Sequence, residues 1–79
     1  MKTVITFGTF DVFHVGHLRL LQRARTLGER LLVGVSSDAL NIAKKGRAPV
    51  YHQDDRMSII AGLACVDGVF LEESLEQKA

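Results

Sequence analysis

Apolar and β-branched residues are concentrated in three short segments of the chain, and between them apolar positions recur at helical spacing. The segments cover residues 2–7, 31–35 and 68–71 and are rich in β-branched and aromatic side chains, which is typical of short strands. The second segment is wholly apolar between Arg30 and Ser36, as in a strand that is covered on both faces of a parallel sheet. The pattern therefore predicts three strands with parallel pairing.

Helices are predicted between these strands. From Leu18 onward apolar residues recur at three-residue steps, and Gly28 stands where a left-handed C-cap would end the first helix. A second, short helix follows polar capping residues within 36–43. A third covers residues 54–65, with acidic residues at its positive end, and residues 74–79 begin a further helix.

The resulting order is βαβαβ, with right-handed crossovers between parallel strands. It predicts an α/β, Rossmann-like half-domain of three parallel strands with flanking helices, in a single domain over residues 1–79. Ligands of such sheets bind at the carboxyl ends of the strands.

The most informative segment, GTFDVFHVGH at residues 8–17, lies at the carboxyl end of the first strand. His14 and His17 fall at the first turn of the next helix, where residues three apart share a face and free backbone N–H groups favour an anion. Gly16 has no side chain, so a ligand is expected to approach the backbone between the two rings. We interpret the segment as a phosphate site.

Two other interpretations of the histidine pair stay open. A single histidine near a helix start is commonly a cap or a packing residue. Imidazole is also a common metal ligand, but zinc takes three or four protein ligands and the other candidates are Asp11 and the distant His52 and Cys65. No metal ligand is therefore assigned.

GTFDVFHVGH resembles the GTFD and HxGH signature of the cytidylyltransferases, in the HxGH nucleotidyltransferase (HUP) superfamily. The continuation HLRLLQRARTLGERLLVGVSSDALN looks most like the glycerol-3-phosphate cytidylyltransferase branch, and the similarity extends over the whole chain. HxGH alone is shared with class I aminoacyl-tRNA synthetases, whereas the combined motif is specific for the superfamily. By this resemblance the chain is a truncated domain, the first three fifths or so, without the RTxGxSTT-like segment that holds the triphosphate.

The resemblance implies transfer of CMP from CTP to glycerol 3-phosphate, giving CDP-glycerol and pyrophosphate, with Mg²⁺ bridging the triphosphate. His14 and His17 would donate hydrogen bonds to phosphoryl oxygens, as catalytic residues. The loop at residues 44–49 is a charge run of a kind that is usually just solvated. By resemblance its Lys44 and Arg47 would clamp substrate phosphates, and Lys45 is a weaker candidate than Lys44.

Further residues match nucleotide- or phosphate-binding positions of the family. Thr9 and Phe10 would place backbone N–H groups near the nucleotide, and Asp11 either orients the site or caps the helix. Arg56 matches a phosphate-binding arginine, with a helix-surface role as the alternative. Two other functions compete with cytidylyl transfer: an adenylyltransferase of the same superfamily, and a non-catalytic fragment that binds nucleotide or associates with itself.

Composition and topology add three expectations. Ten Lys plus Arg against nine Asp plus Glu leave a net charge of +1, so neither nucleic acid nor an anionic membrane is an expected partner. Cys65 is the single cysteine, and the sequence has neither a signal-peptide pattern nor an apolar run near ~20 residues. These features favour a cytoplasmic protein with Cys65 in the core. By resemblance the strand order is 3-2-1-4-5, so without a fourth strand the first is an exposed edge and a homo-oligomer is expected through it.

Overall fold

The computed structural model describes residues 1–73, which form three parallel strands and three helices. The strands are β1 (Thr3–Gly8), β2 (Arg30–Ser36) and β3 (Gly68–Glu72), and the helices are α1 (Val15–Arg25), α2 (Asp38–Lys45) and α3 (Gln53–Ala61). This order confirms the predicted α/β arrangement. The helix predicted at residues 74–79 lies outside the described residues. Within the described part of the chain, no helix has the length and apolarity to cross a membrane.

The sheet has the order β1-β2-β3, and both pairs are parallel. Because side chains alternate along a strand, Leu31, Val33 and Val35 of β2 share one face, and all three are fully buried. They pack with Leu21 of α1 and Ile60 of α3, which are also fully buried. The two helices therefore cover the same face of the sheet and form the main core there.

The opposite face of β2 is covered by aromatic rings instead of a helix. Phe7 of β1 and Phe70 of β3 meet edge to face, with their ring centroids 5.8 Å apart. Gly34 of β2 pairs with both residues, and a Cβ atom there would lie 2.5 Å from the Phe7 ring. The prediction that β2 is buried on both faces is thus confirmed, and glycine leaves room for the rings that bury the second face.

Several predicted helix ends are wrong. α1 begins at Val15, with His14 and His17 at its start as predicted, but its C-cap is Thr26 in a right-handed conformation, not Gly28. Gly28 instead passes close to β1, where a Cβ atom would lie 2.7 Å from the carbonyl oxygen of Lys2. α3 ends at Ala61, four residues before the predicted end. The glycine signal at position 28 thus reports tight packing between two segments rather than a helix end.

The start of α2 is as predicted, and its end lies further along the chain. The Ser37 side chain caps the helix by accepting a hydrogen bond from the Leu40 N–H at 3.0 Å. The helix continues to Lys45 and is closed by Gly46, whose φ of 77° is left-handed. Both lysines of the basic run therefore belong to the last helical turn, and the loop itself starts at Gly46.

Arg56 of α3 is fully buried and braces the carboxyl ends of the strands. Its Nη1 donates to the carbonyl oxygens of Thr9, just after β1, and of Ser36 in β2, at 2.9 and 2.7 Å. Its Nη2 donates to Oδ1 of Asp38 at 2.7 Å, and Nε donates to the Tyr51 carbonyl oxygen at 3.0 Å. The helix-surface alternative for Arg56 is therefore wrong, because the side chain is wholly inside.

The ion pair with Arg56 also sets the charge state of Asp38. Burial alone raises the pKa of this carboxyl, but the Arg56 hydrogen bond and the Gln53 N–H more than offset it, and the pKa lies below its usual value. Asp38 thus stays ionised while it joins the start of α2 to α3. One guanidinium consequently holds together the ends of β1 and β2 and the helices α2 and α3.

We expect Arg56→Met to lower the free energy of unfolding by roughly 3–5 kcal/mol, because it leaves a carboxylate and two strand-end carbonyl groups without their donor. Urea unfolding followed by circular dichroism measures the loss. Arg19→Met, on the exposed surface of α1, is the matched control and should change stability by less than about 0.5 kcal/mol. Similar losses in the two variants would contradict the bracing role.

Candidate functional site

The loop after β1 has a strained backbone. Phe10 and Val12 have φ values of 53° and 48°, in the left-handed region that residues other than glycine rarely adopt. The Phe10 side chain is buried in the core and anchors the loop from below, and its ring fills the space beside Gly8, where a Cβ atom would lie 2.7 Å away. Strain of this kind persists only where packing imposes it, and it is common at functional sites.

His14 and His17 form a reciprocal capping box at the start of α1. Nδ1 of His14 accepts the Gly16 N–H at 3.0 Å, and Nδ1 of His17 accepts the His14 N–H at 3.3 Å. A neutral imidazole that accepts through Nδ1 carries its proton on Nε2. The cap therefore selects one tautomer in both rings, whose centroids are 4.0 Å apart, and makes each Nε2–H a hydrogen-bond donor.

Gly16 does not have the role expected from the sequence. A Cβ atom at this position would lie 2.7 Å from Cε1 and 3.0 Å from Nδ1 of His14. The space freed by the missing side chain is occupied by the His14 ring, so the expectation that a ligand enters there is wrong. The glycine allows the imidazole to fold back onto the helix terminus and cap it.

His17 is held as a neutral donor. It lies between Phe10 and Phe13, with ring centroid distances of 5.7 and 5.4 Å. Burial lowers the pKa of His17 below its ordinary value, and the charge of His14 beside it lowers the pKa further. At neutral pH the His17 side chain is thus an uncharged imidazole.

Asp11 does not cap α1, because His14 is the cap, so that alternative for Asp11 is wrong. Its carboxylate joins the loop after β1 (residues 9–14, the motif loop) to the end of the loop after α2 (residues 46–51, the basic loop). Oδ2 accepts the Val50 N–H at 2.7 Å, and Oδ1 accepts the Tyr51 N–H at 2.8 Å. Oδ1 also accepts the Val12 N–H at 3.1 Å. Burial raises the pKa of Asp11, but these three N–H groups more than offset it and the pKa lies below its usual value.

Two cavities meet at the motif loop. The first, of about 290 Å³, lies between the motif loop and the basic loop, and its polar lining consists of Thr9, Asp11, Asn41, Lys45 and Arg47. The second, of about 390 Å³, lies on the other side of the loop, lined among others by Phe7, Phe10, His17, Leu20 and Lys45. Thr9, Asp11 and Lys45 border both cavities. The candidate site is therefore a pair of adjoining cavities with a shared cation.

The structure brings most of the predicted residues to these cavities. Thr9, Phe10, Asp11, His17 and Arg47 line one or both, and His14 stacks against His17 at the exposed helix terminus.

Besides His14, three predicted residues line neither cavity: Gly16, Lys44 and Arg56. Lys44 is exposed on the last turn of α2 and is not among the residues that line either cavity. Arg56 lies beneath the site, and four of its N–H hydrogen bonds go to the protein. Phosphate binding by Lys44 or Arg56 stays a prediction.

Two lining residues carried little or no sequence signal. Lys45 was the weaker candidate of two adjacent lysines, and only the phase of α2 separates them. Asn41 is buried in α2, where its Oδ1 accepts the Thr9 hydroxyl at 3.0 Å and its Nδ2 donates to the Ser37 carbonyl oxygen at 2.9 Å. Nothing in the pattern around position 41 indicated this contact. Among residues 1–73, no group of three or more His, Cys, Asp or Glu is placed to hold a metal ion.

We expect the imidazole of His17 to titrate below its ordinary value of 6.5 in a proton NMR pH series. His14→Asn keeps a capping acceptor but removes the neighbouring ring charge, so the His17 midpoint should rise and yet stay below 6.5, since burial remains. The pKa of His17 is lower in the folded chain than in the unfolded chain, so the free energy of unfolding should fall as the pH drops from the unfolded pKa through the folded pKa. An unchanged midpoint in His14→Asn would contradict the coupling.

Comparison with known proteins finds several similar sequences. The glycerol-3-phosphate cytidylyltransferase of Bacillus subtilis strain 168 is 46% identical over 79 residues, and that of Bacillus spizizenii is 44% identical over 78 residues. Each match covers 99% of this chain and 60% of the relative, so the chain spans about three fifths of their length. The bifunctional protein HldE of Campylobacter concisus is 48% identical over 71 residues, which is 89% of this chain and 15% of that protein.

A solved structure also matches. The lipopolysaccharide core biosynthesis protein from Thermoplasma volcanium superposes with a TM-score of 0.88 at 29% identity, over 99% of this chain and 65% of that one. The family model described as cytidylyltransferase-like matches residues 5–79, which include the strained loop, both histidines and the basic loop. The chain belongs to the cytidylyltransferase-like family of nucleotidyltransferases.

Proposed function

We propose that the two adjoining cavities bind the phosphates of CTP and of a small phosphorylated acceptor, and that the reaction is transfer of CMP to glycerol 3-phosphate. The products would be CDP-glycerol and pyrophosphate. The observation that carries the proposal is the capping box, because it directs a proton to Nε2 of both His14 and His17 at a helix N-terminus. The two relatives named glycerol-3-phosphate cytidylyltransferase support the choice of acceptor.

In this reaction an oxygen of the acceptor phosphate attacks the α-phosphorus of CTP, and the bond from that phosphorus to the pyrophosphate oxygen breaks. The attacking oxygen is already anionic, so no side chain has to remove a proton from it. Catalysis then depends on alignment and on stabilising the charge that builds on the phosphoryl and leaving oxygens. His17 is already neutral, so its Nε2–H would donate a hydrogen bond to these oxygens without a change in protonation.

The last residue of α2 and the basic loop that follows it supply the positive charge. Lys45 borders both cavities, so its ammonium group would contact both phosphates, and Arg47 would hold the acceptor phosphate in the first cavity. Thr9 and Phe10 border the second cavity, where their backbone N–H groups would face the nucleotide. Lys44 remains a proposed catalytic residue, and its place one position before Lys45 lets substitution separate the two.

Mg²⁺ is proposed as the ion that accompanies CTP. Magnesium sites usually combine one or two carboxylates with substrate phosphates and water. The carboxylate of Asp11, the acidic group that borders both cavities, already accepts three backbone N–H groups. The ion would therefore be held by the triphosphate itself, where it neutralises phosphate charge.

We expect His14→Asn and His17→Ala each to lower kcat by about 10²–10³, because each removes a phosphate-directed donor. Pyrophosphate release with CTP and glycerol 3-phosphate is the assay. The control is His52→Asn, at the N-cap of α3 and not among the residues lining either cavity, and its kcat should be unchanged. Normal kcat in either histidine variant would contradict the assigned role.

The competing functions give different outcomes in the same experiments. Calorimetry with CTP and ATP separates a cytidylyltransferase from an adenylyltransferase of the same superfamily. CTP binding without pyrophosphate release would favour a nucleotide-binding module without turnover, and no binding of either nucleotide would contradict the proposed function.

Self-association through β1 is also proposed. In the described sheet β1 lies at an edge, and its Ile5 and Phe7 side chains are 53% and 38% exposed. Exposed apolar edge strands pair readily with another chain, and charge on the edge opposes this.

Sedimentation should therefore show a mass that rises with concentration, and Ile5→Lys should shift it toward the monomer. Leu27→Lys, at an equally exposed position after α1, is the control and should have no effect. A monomer mass independent of concentration in the parent chain would overturn the proposal.

A further inference from the structure

The carboxylate of Asp11 stands at the junction of two cavities proposed to hold phosphates, where its charge would repel them. We propose that Asp11 is a positioning residue: it fastens the end of the basic loop to the strained motif loop and so places Arg47 against the site, near Lys45 at the end of α2. The inference rests on the proposed function, in that the placed cation is taken to meet a phosphate.

The contacts of the carboxylate support a fastening role. Both oxygens are used, and the partners Val50 and Tyr51 lie 39 and 40 residues further along the chain. The two distances, 2.7 and 2.8 Å, fall in the range of charge-assisted hydrogen bonds, which are about twice as strong as neutral ones. One side chain thus joins two loops that no helix or strand connects directly.

The backbone around Asp11 is held in place for this task. Its neighbours on both sides, Phe10 and Val12, have left-handed φ values, and the Phe10 ring is buried beneath the loop. A third bond, from the Val12 N–H to Oδ1, fixes the side chain relative to its own loop. Asp11 therefore acts from a rigid base, so its contacts position the basic loop rather than follow it.

The basic loop has one other fixed end. α2 stops at Gly46, whose left-handed φ turns the chain away from the helix axis, and Arg47 follows directly. From there the chain passes through Pro49, whose ring restricts the backbone, to the two N–H groups that Asp11 binds. Without the Asp11 contacts, this segment would still be held by α2 at one end and by the Arg56 bond to the Tyr51 carbonyl oxygen at the other, but neither the Val50 nor the Tyr51 N–H would be bound to the motif loop.

The sign of the effect on anion binding separates this role from the obvious alternative. If Asp11 were only a negative charge in the site, Asp11→Asn would tighten binding of an anion. If Asp11 positions Arg47, the same substitution should weaken anion binding although it removes a repulsive charge. Inorganic pyrophosphate in EDTA is the probe, so that a role in holding Mg²⁺ cannot contribute.

We expect Asp11→Asn to lose the Val50 bond first, since the amide keeps one acceptor oxygen, and Asp11→Ala to lose both. Amide hydrogen exchange at positions 50 and 51 should rise about 10–100-fold, while exchange at Val33 in the core should not change. Trypsin should cleave faster after Lys45 and Arg47, and pyrophosphate affinity should fall about tenfold, which corresponds to the loss of one such hydrogen bond. Asp55→Asn, exposed on α3, is the matched control and should behave as the parent chain.

A double substitution tests whether Asp11 acts through the loop. In a background with Arg47→Gln, Asp11→Ala should cause little further loss of pyrophosphate affinity, because the group it places is absent. Unchanged exchange at positions 50 and 51 in Asp11→Ala would overturn the fastening role. Faster exchange with unchanged or higher affinity would overturn the positioning role. If the parent chain does not bind pyrophosphate, the proposed function fails, and the exchange data alone then decide whether Asp11 fastens the loop.

Discussion

The structure depends on one buried guanidinium at the carboxyl ends of the strands. Arg56 is fully buried, and its planar group donates hydrogen bonds to the ends of β1 and β2 and to the first residue of α2. Because the donors of a guanidinium have fixed directions, these contacts define where the strand ends, α2 and α3 lie relative to each other. The motif loop and the basic loop both begin at elements that this group holds.

In the candidate site above this brace, the groups proposed for chemistry also have a role in folding. His14 and His17 cap α1 through one ring nitrogen and thereby place the proton on the other. The interpretation as a cap and the interpretation as a ligand-binding pair are therefore compatible, since an imidazole has two nitrogens. Asp11 similarly uses both oxygens to join two loops, which makes an acidic side chain compatible with an anion site.

Local patterns predicted the elements well where near neighbours decide the outcome. The three strands, their order along the chain and the Ser37 cap of α2 follow from apolar runs and capping residues that lie within a few positions of each other. The same reasoning misplaced Gly16 and Gly28, because in both cases the missing side chain makes room for a group that local pattern does not identify: a histidine ring at one position and the Lys2 carbonyl at the other.

The sequence by itself determined the α/β order, the position of the histidine motif at the end of β1 and the resemblance to cytidylyltransferases, which the family match confirms. Only the tertiary structure decided that Lys45 rather than Lys44 lines the cavities, that Arg56 is an internal brace and that Asp11 joins two loops. The physical reason is distance along the chain. Periodicity and capping depend on residues within one or two turns, whereas the bonds of Arg56 to Thr9 and of Asp11 to Tyr51 join residues 47 and 40 positions apart, and form only when the sheet brings those segments together.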